Sequence, residues 1–188
     1  MKHIVSMLVE NKQGVLARIA GLFSGRGYNL DSITVGVTAD PTVSRITLAC
    51  LGDDAIVEQI KKQLNRLIDV IRVTDLTGVP ALHRELLLIK VSARGPQRGE
   101  IFQVADVFKA QVMDVGFDTM SLELTGSTDK IDDFIALLQP YGLVEMARSG
   151  VVSLERGRKA PLPRATRGSG GRTADKNNKR KERAGWNA

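Results

Sequence analysis

The amino-acid sequence predicts an α+β protein that consists of two successive βαββαβ units, each with an antiparallel sheet and both helices on one face. Three observations support this prediction. Apolar residues alternate with polar ones in short segments typical of strands, and recur at spacings of three and four in segments typical of helices. These segments follow one another in the same order twice, about 80 residues apart. A chain of 188 residues, 43% of them apolar, has the length and the apolar content for two small domains.

The first unit is predicted to span residues 1–77. Its strands are predicted at 3–10, 29–37, 43–51 and 70–75. The residues NKQG at 11–14 have the chemistry of a turn and a helix cap, and a helix with one apolar face is predicted over 15–24. A second helix is predicted to be capped by Asp53 or Asp54. Its apolar face is formed by Ile56, Ile60, Leu64 and Leu67.

The second unit is predicted at 84–157, after a linker at 78–83 that contains Gly78-Val79-Pro80. Its strands are predicted at 84–91, 112–116, 120–125 and, as one strand or two, 143–154. Two helices carry apolar faces, with Ile101, Val104, Ala105 and Phe108 in one and Ile131, Phe134, Ile135 and Leu138 in the other. This order of elements predicts a ferredoxin-like unit. A unit of about 75 residues has a marginal core, so two units are expected to pair, within or between chains.

The end of the chain differs in composition from the rest. Residues 158–188 hold ten basic and two acidic residues, a net charge of +8, whereas the preceding 157 residues carry −2. Leu162 and Trp186 are the large apolar residues of this segment, so it is predicted to be a disordered basic tail. The high isoelectric point of the whole chain therefore does not indicate a nucleic-acid-binding fold.

Targeting signals are not apparent in the sequence. No apolar run approaches the roughly 20 residues of a membrane span. The N-terminal residues MKHIVSMLVENK lack the layout of a signal peptide, because a charged residue returns at Glu10 without a cleavage site. A cytoplasmic protein without a membrane partner is expected.

Catalytic motifs are also not apparent. The sequence has no nucleophile elbow, GxGxxG, HExxH or phosphate loop. The single cysteine, Cys50, excludes an internal disulfide and a cysteine-based zinc site, and its alternation with Leu48 predicts a core residue. His3 and His83 each stand at the start of a unit and are interpreted as surface or strand-end residues. No catalytic residue, metal site or cofactor is predicted in this chain.

The candidate binding site lies in residues 9–36, VENKQGVLARIAGLFSGRGYNLDSITVG. Asn11 and Gly14 stand between a strand and a helix N-terminus, where free N–H groups and the helix dipole favour a carboxylate. Gly14 lets a ligand approach the backbone. Asn29, at the entry to the second strand, has an amide that can donate and accept. Together these groups suit an α-amino acid, although Asn-x-x-Gly before a helix is more commonly only a cap.

The same segment resembles the opening of an ACT domain, a small-molecule-sensing module of amino-acid metabolism. Four further segments resemble the regulatory, or small, subunit of acetolactate synthase, also called acetohydroxyacid synthase. They are ADPTVSRITL (39–48), QIKKQLNRLIDVIRVTDL (59–76), RELLLIKV (84–91) and VEMARSGVVSLERG (144–157). The resemblance covers about residues 2–157, and the basic tail departs from it.

The resemblance implies a regulatory subunit without an active site. The catalytic subunit, a separate chain, uses thiamine diphosphate, magnesium and FAD to condense two pyruvates, or pyruvate with 2-oxobutyrate. This reaction is the first common step toward valine, leucine and isoleucine. The small subunit of this family activates the catalytic subunit and makes it sensitive to feedback, commonly by valine. Which of the three amino acids acts here stays open, because an apolar pocket discriminates by only about 1–3 kcal/mol per methylene.

The resemblance also implies where the effector binds, namely between the ACT domains of a homodimer. The family's positions fall on Asn11, Gly14 and Asn29 of this sequence, with Val15, Leu16 and Leu30 as apolar neighbours. The first loop of the second unit, ARGPQRGE at 93–100, has no equivalent of NKQG. The second unit is therefore assigned to contacts with the catalytic subunit and to coupling.

Three other readings are weaker. An RNA-recognition motif has the same element order but needs aromatic residues on its central strands, and SRITLACL and HIVSMLVE have none. The tail is interpreted as a solvated segment, with non-specific contact to polyanions as the alternative. A metal chaperone is untenable with one cysteine. An ACT-type sensor for another enzyme shares Asn11 and Gly14 but not the motifs at 59–76 and 144–157.

Overall fold

The computed structural model describes residues 1–25 and 30–157. Within these ranges the chain forms nine strands, four α-helices and one 3-10 helix, arranged as two α+β units with antiparallel sheets. The predicted fold class is confirmed. Asn29 and the predicted basic tail 158–188 lie outside the described residues. No helix of the described residues is long and apolar enough to cross a membrane.

The first unit follows the predicted order. Its elements are β1 (Lys2–Glu10), α1 (Val15–Ser24), β2 (Leu30–Val37), β3 (Val43–Leu51), α2 (Asp54–Leu64) and β4 (Val70–Asp75). The sheet order is β2-β3-β1-β4, so β2 and β4 are the edge strands. Asp53 is the N-cap of α2, and its carboxylate accepts the Ile56 N–H at 2.8 Å. This bond satisfies one of the free donors at the helix start and decides between the two predicted caps.

The core of the first unit lies between the sheet and its two helices. Alternate residues of β1 and β3 face α1 and α2, because successive strand side chains point to opposite faces. The buried set is Val5, Met7, Val9, Val15, Ile19, Phe23, Ile46, Leu48, Cys50, Val57, Ile60 and Leu64. Both helices thus cover one face of the sheet, as predicted.

The second unit repeats this plan and adds a strand. Its elements are β5 (Ala81–Ser92), α3 (Gln97–Phe108), β6 (Gln111–Val115), β7 (Thr119–Gly126), α4 (Thr128–Leu138), the 3-10 helix Gln139–Tyr141, β8 (Leu143–Arg148) and β9 (Val152–Glu155). The order β6-β7-β5-β8 matches that of the first unit, and β9 pairs with the start of β5. In the core between sheet and helices, Phe108 and Phe134 stack with ring centroids 5.1 Å apart.

The start of β5 differs from the sequence prediction. The linker was expected at 78–83, but β5 begins at Ala81, so only the turn around Gly78 and Pro80 joins the units without strand structure. The physical reason is the pairing of residues 81–84 with β9, which lies about 70 residues further along the chain. A pairing between such distant segments leaves no signal in the local pattern.

The two units contact each other across the face of the first sheet that the helices leave open. Ser6 and Thr47 lie opposite each other on this face, yet each is only 2% exposed. A groove there is lined by residues of β2 and β3 together with Val152 and Ser153 of β9. The second unit therefore covers polar strand residues that an isolated first unit would expose to water.

Candidate functional site

The loop between β1 and α1 is held against the turn that joins β2 to β3. The backbone N–H of Asn11 donates to the carbonyl of Thr42 at 2.7 Å. Its side-chain amide donates to the carbonyl of Pro41 at 3.0 Å. Asn11 itself is exposed. Asn11, one of the site residues predicted from the sequence, is thus held at the surface by the turn between β2 and β3.

Gly14 starts the helix in a conformation that favours glycine. Its φ of +80° and ψ of −11° lie in the left-handed region, and α1 begins at the next residue. No side chain caps α1, and its first turn contains no acidic residue. The first N–H groups of a helix have no partner within the helix, and the dipole makes this end positive. The start of α1 therefore favours an anion.

The predicted apolar neighbours have different roles in the structure. Val15 is 4% exposed and belongs to the core under α1. Leu16 is 46% exposed, so its apolar side chain is accessible at the surface at the start of α1. Leu30 is partly buried and packs against the same core from the start of β2.

Arg18 and Asp69 lie next to the loop and were missed in the sequence analysis. Arg18 Nε and Nη2 contact Asp69 Oδ2 at 2.9 and 2.6 Å. A Cβ placed on Gly14 would lie 3.3 Å from Arg18 Nη1. The spacing of four residues on one helix could have indicated that Arg18 faces Gly14. The loop therefore has a guanidinium beside the uncapped helix start.

A second basic side chain at the loop is neutralised locally. Lys12 Nζ lies 2.6 Å from Glu10 Oε2, and this hydrogen bond raises the pKa of Lys12. The lysine head is thus paired with its neighbour. Arg18 is paired as well, with Asp69, and its Nη1 is the guanidinium nitrogen that lies near Gly14.

The predicted site residues fall into two clusters at opposite ends of the first sheet. Asn11 follows Glu10, which pairs with Val43, whereas Leu30 pairs with Cys50, seven positions further along β3. At about 3.3 Å per strand residue the two clusters are about 23 Å apart. Asn11, Gly14, Val15 and Leu16 are together, and Leu30 is not with them. Asn29 lies outside the described residues.

Elsewhere in the part of the chain that the structure describes, the titratable groups form no comparable site. Cys50 is a buried core residue, as predicted, and burial raises the pKa of its thiol. His3 is 2% exposed beneath the start of α2, with Nε2 3.8 Å from Asp54 Oδ1. Of the two sequence-based interpretations of His3, the strand-end position is confirmed, since it is the second residue of β1, and the surface position is wrong, because His3 is buried. Among the described residues, no group of three His, Cys, Asp or Glu side chains could hold a metal ion.

The corresponding loop of the second unit is closed by its own arginine. Arg98 Nε donates to the carbonyl of Ala93 at 2.9 Å, and Nη2 donates to the carbonyl of Gly116 at 2.6 Å. Nη2 also contacts the carbonyl of Phe117. These bonds tie the loop before α3 to the turn between β6 and β7. Like α1, α3 has no side-chain cap, but its first turn contains Glu100, which disfavours an anion at this helix start.

The fold and this loop together define a two-domain protein of the ACT type. A family model described as the AHAS small subunit-like ACT domain matches residues 5–72, and one described as the small subunit of acetolactate synthase matches residues 84–157. The chain belongs to the family of acetolactate synthase small subunits. Each domain matches its own model, and the prediction from sequence is confirmed.

Relatives from distant organisms agree with this assignment. A probable acetolactate synthase small subunit of Archaeoglobus fulgidus is 48% identical over 159 residues, which is 85% of this chain and 99% of the relative. The isozyme 3 small subunit of Escherichia coli is 44% identical over 85% of this chain and 98% of the relative. The crystal structure of the Thermotoga maritima small subunit has a TM-score of 0.77 at 39% identity, over 85% of this chain and 99% of that one.

Proposed function

We propose that this chain is the regulatory, non-catalytic subunit of acetolactate synthase. In this proposal it activates the catalytic subunit and confers feedback inhibition by valine or another branched-chain amino acid. The observation that carries the proposal is the uncapped start of α1 at Gly14, beside Asn11, in the domain that matches the ACT model. A helix start without a side-chain acceptor favours a carboxylate supplied by a ligand.

The loop chemistry fits an α-amino acid with an apolar side chain. The carboxylate accepts from the first N–H groups of α1, with the Arg18 guanidinium nearby. The ammonium group is taken by amide oxygens, for which Asn11 and Asn29 are the candidates. Leu16, half-exposed beside the loop, packs against the aliphatic side chain. Valine, isoleucine and leucine meet these requirements.

In a homodimer formed through the first sheets, the two clusters that are separated within one chain come together across the interface. β2 is an edge strand with unpaired backbone groups, and Ile33, Val35 and Val37 are 38%, 46% and 61% exposed on it. A two-fold axis through the middle of β2 pairs the two copies antiparallel. The start of β2 in one copy then lies beside the end of β2 in the other. Leu30 of one chain thereby approaches the loop of Asn11 in its partner.

The second unit is the proposed contact with the catalytic subunit. The face of its sheet opposite the helices exposes Leu86 and Leu88, which are 36% and 45% exposed on β5. Exposed apolar strand residues of this kind are suited to a protein partner. In this proposal thiamine diphosphate, magnesium and FAD are held by the catalytic partner, and this chain supplies no cofactor ligand.

A calorimetric titration tests the effector site. We expect saturable heat when the full chain is titrated with L-valine, L-isoleucine or L-leucine, with one ligand per chain, and no saturable heat with D-valine. The chirality matters because the carboxylate, the ammonium and the side chain each have an assigned partner. Equal heats for the two enantiomers, or no heat with any L-amino acid in the presence of the catalytic subunit, contradict the proposed site.

A further inference from the structure

The loop between β8 and β9 is wedged against β2 of the first unit. Thr34 Oγ1 on β2 donates to the carbonyl of Ser149 at 3.1 Å. Gly150 is buried there, although it belongs to a connection between strands. We call Ser32 and Thr34 of the first unit, together with Ser149 and Gly150 of the second, the interdomain joint.

Gly150 is required at the joint for two reasons. Its φ of +76° is in the left-handed region. A Cβ built on it would lie 2.9 Å from Thr34 Oγ1, which is closer than real Cβ atoms approach, and 3.0 Å from Ser32 Cβ, which is a tight contact. The backbone of Gly150 therefore lies directly against the side chains of Ser32 and Thr34, where an added Cβ would force β2 or the loop to shift.

The second unit holds its side of the joint firmly. Arg148 donates from Nε and Nη2 to the two oxygens of Glu85, at 2.6 and 3.0 Å, and from Nη1 to Asp132 at 2.8 Å. Ser149 exchanges hydrogen bonds with Leu86, since its backbone N–H donates to the Leu86 carbonyl and its Oγ accepts the Leu86 N–H, each at 3.0 Å. These hydrogen bonds hold the start of the loop against β5 and, through Asp132, against α4.

The first-unit side of the joint is β2, whose two ends contribute to the proposed effector sites of the dimer. β2 begins at Leu30, and the turn that follows it holds Asn11 through Pro41 and Thr42. The loop of the second unit contacts β2 between Leu30 and this turn, at Ser32 and Thr34. A displacement of β2 by an effector therefore reaches the second unit through the joint, because Gly150 lies against the side chains of Ser32 and Thr34 and closely packed groups transmit strain.

We propose that Gly150 and Thr34 are positioning residues that couple the effector site to the second unit. The inference rests on the proposed function and adds a residue-level route to it. In this route effector binding shifts β2. The shift of β2 then moves the Ser149–Gly150 loop together with Arg148 and its partners Glu85 and Asp132. The catalytic subunit then responds through the second unit.

The test compares Gly150→Ala with Gly78→Ala in the full chain assembled with the catalytic subunit. Gly78 has a φ of +71° and open space around its Cβ position, so the control introduces the same backbone strain without pressing on β2. We expect Gly150→Ala to raise the half-inhibitory valine concentration at least fivefold, with valine binding to the isolated chain changed less than twofold. Gly78→Ala should leave both quantities unchanged. Equal inhibition curves for the two variants overturn the inference.

A second pair of variants covers the case in which Gly150→Ala does not fold. Thr34→Val removes the hydroxyl that donates to Ser149, whereas Thr34→Ser retains it. We expect the effector valine to inhibit the complex more weakly with Thr34→Val. With Thr34→Ser, inhibition should be the same as with the wild-type chain. Identical inhibition in both variants overturns the role of this hydrogen bond.

Hydrogen exchange separates failure of the joint from failure of the proposed function. The joint predicts faster amide exchange in both β2 and residues 149–151 of Gly150→Ala than of Gly78→Ala, with or without an effector. If wild-type protein neither binds nor responds to valine, the proposed function fails and the joint is judged on exchange alone. Equal exchange in the two variants overturns the joint.

Discussion

Replacing Gly14 with aspartate is expected to abolish inhibition by valine while leaving activation of the catalytic subunit intact. The new carboxylate occupies the region where the effector carboxylate is expected, and its Cβ lies 3.3 Å from Arg18 Nη1. The aspartate carboxylate is therefore stabilised by the positive N-terminus of α1 and by Arg18, and it repels the carboxylate of the ligand. Juxtaposed like charges cost several kcal/mol, so valine affinity should fall at least about a hundredfold.

The fold should tolerate this substitution. The left-handed backbone at Gly14 is one that aspartate and asparagine adopt more readily than other non-glycine residues. Gly14→Asn is the matched control, since it has the same shape without the charge. Valine titration of both variants, followed by assays with the catalytic subunit, separates charge from bulk. A Gly14→Asp subunit that is inhibited at the wild-type valine concentration would place the effector elsewhere.

Replacing Arg148 with methionine is expected to lower the free energy of unfolding by about 2–4 kcal/mol. Glu85 is only 4% exposed and receives two hydrogen bonds from Arg148. These bonds raise the pKa of Arg148 above its ordinary value. Methionine retains much of the arginine's apolar length but leaves a buried carboxylate without its cation. The expected value is below that of a fully buried pair because the arginine is 32% exposed.

Two further variants show whether the loss of unfolding free energy comes from the Glu85 carboxylate that is left without its cation. Arg148→Met combined with Glu85→Gln should regain most of the stability, because the double variant removes the charge that lost its partner. Lys90→Met breaks the exposed pair with Glu145 and should cost less than about 1 kcal/mol. Chemical denaturation of all four proteins measures these differences. A similar loss in Lys90→Met and Arg148→Met contradicts the assigned role of Glu85.

The sequence was sufficient to predict most element positions. The predicted helix at 15–24 is α1, and the predicted strands at 43–51 and 70–75 are β3 and β4. These segments have strong periodicity and clear end signals, and their patterns are local. The chemistry of Asn11 and Gly14 was equally accessible, because a turn followed by a helix start is encoded in adjacent residues.

Features that depend on distant segments could not be predicted in this way. The pairing of β9 with the start of β5, which shortens the linker, joins residues about 70 positions apart. The contact of Arg18 with Asp69 and the burial of His3 by α2 have the same origin. The separation of Leu30 from Asn11 follows from the registers in which β1 and β2 pair with β3, and no local pattern contains these registers.

The role of the edge strand is a consequence of these distant contacts. Ile33 and Val35 alternate as expected of a strand facing a core, yet both are exposed because β2 lies at the edge of the sheet. In the proposed homodimer a partner chain covers these residues, and the complete proposed effector site requires that dimer.

The most direct test of the central claim is reconstitution with a purified acetolactate synthase catalytic subunit. We measure acetolactate formation from pyruvate by the catalytic subunit alone, by this chain alone, and by the two together with and without valine. The account predicts no product from this chain alone, a severalfold higher rate for the mixture, and loss of that increase when valine is added. A mixture with the rate of the catalytic subunit alone, unaffected by valine, would contradict it.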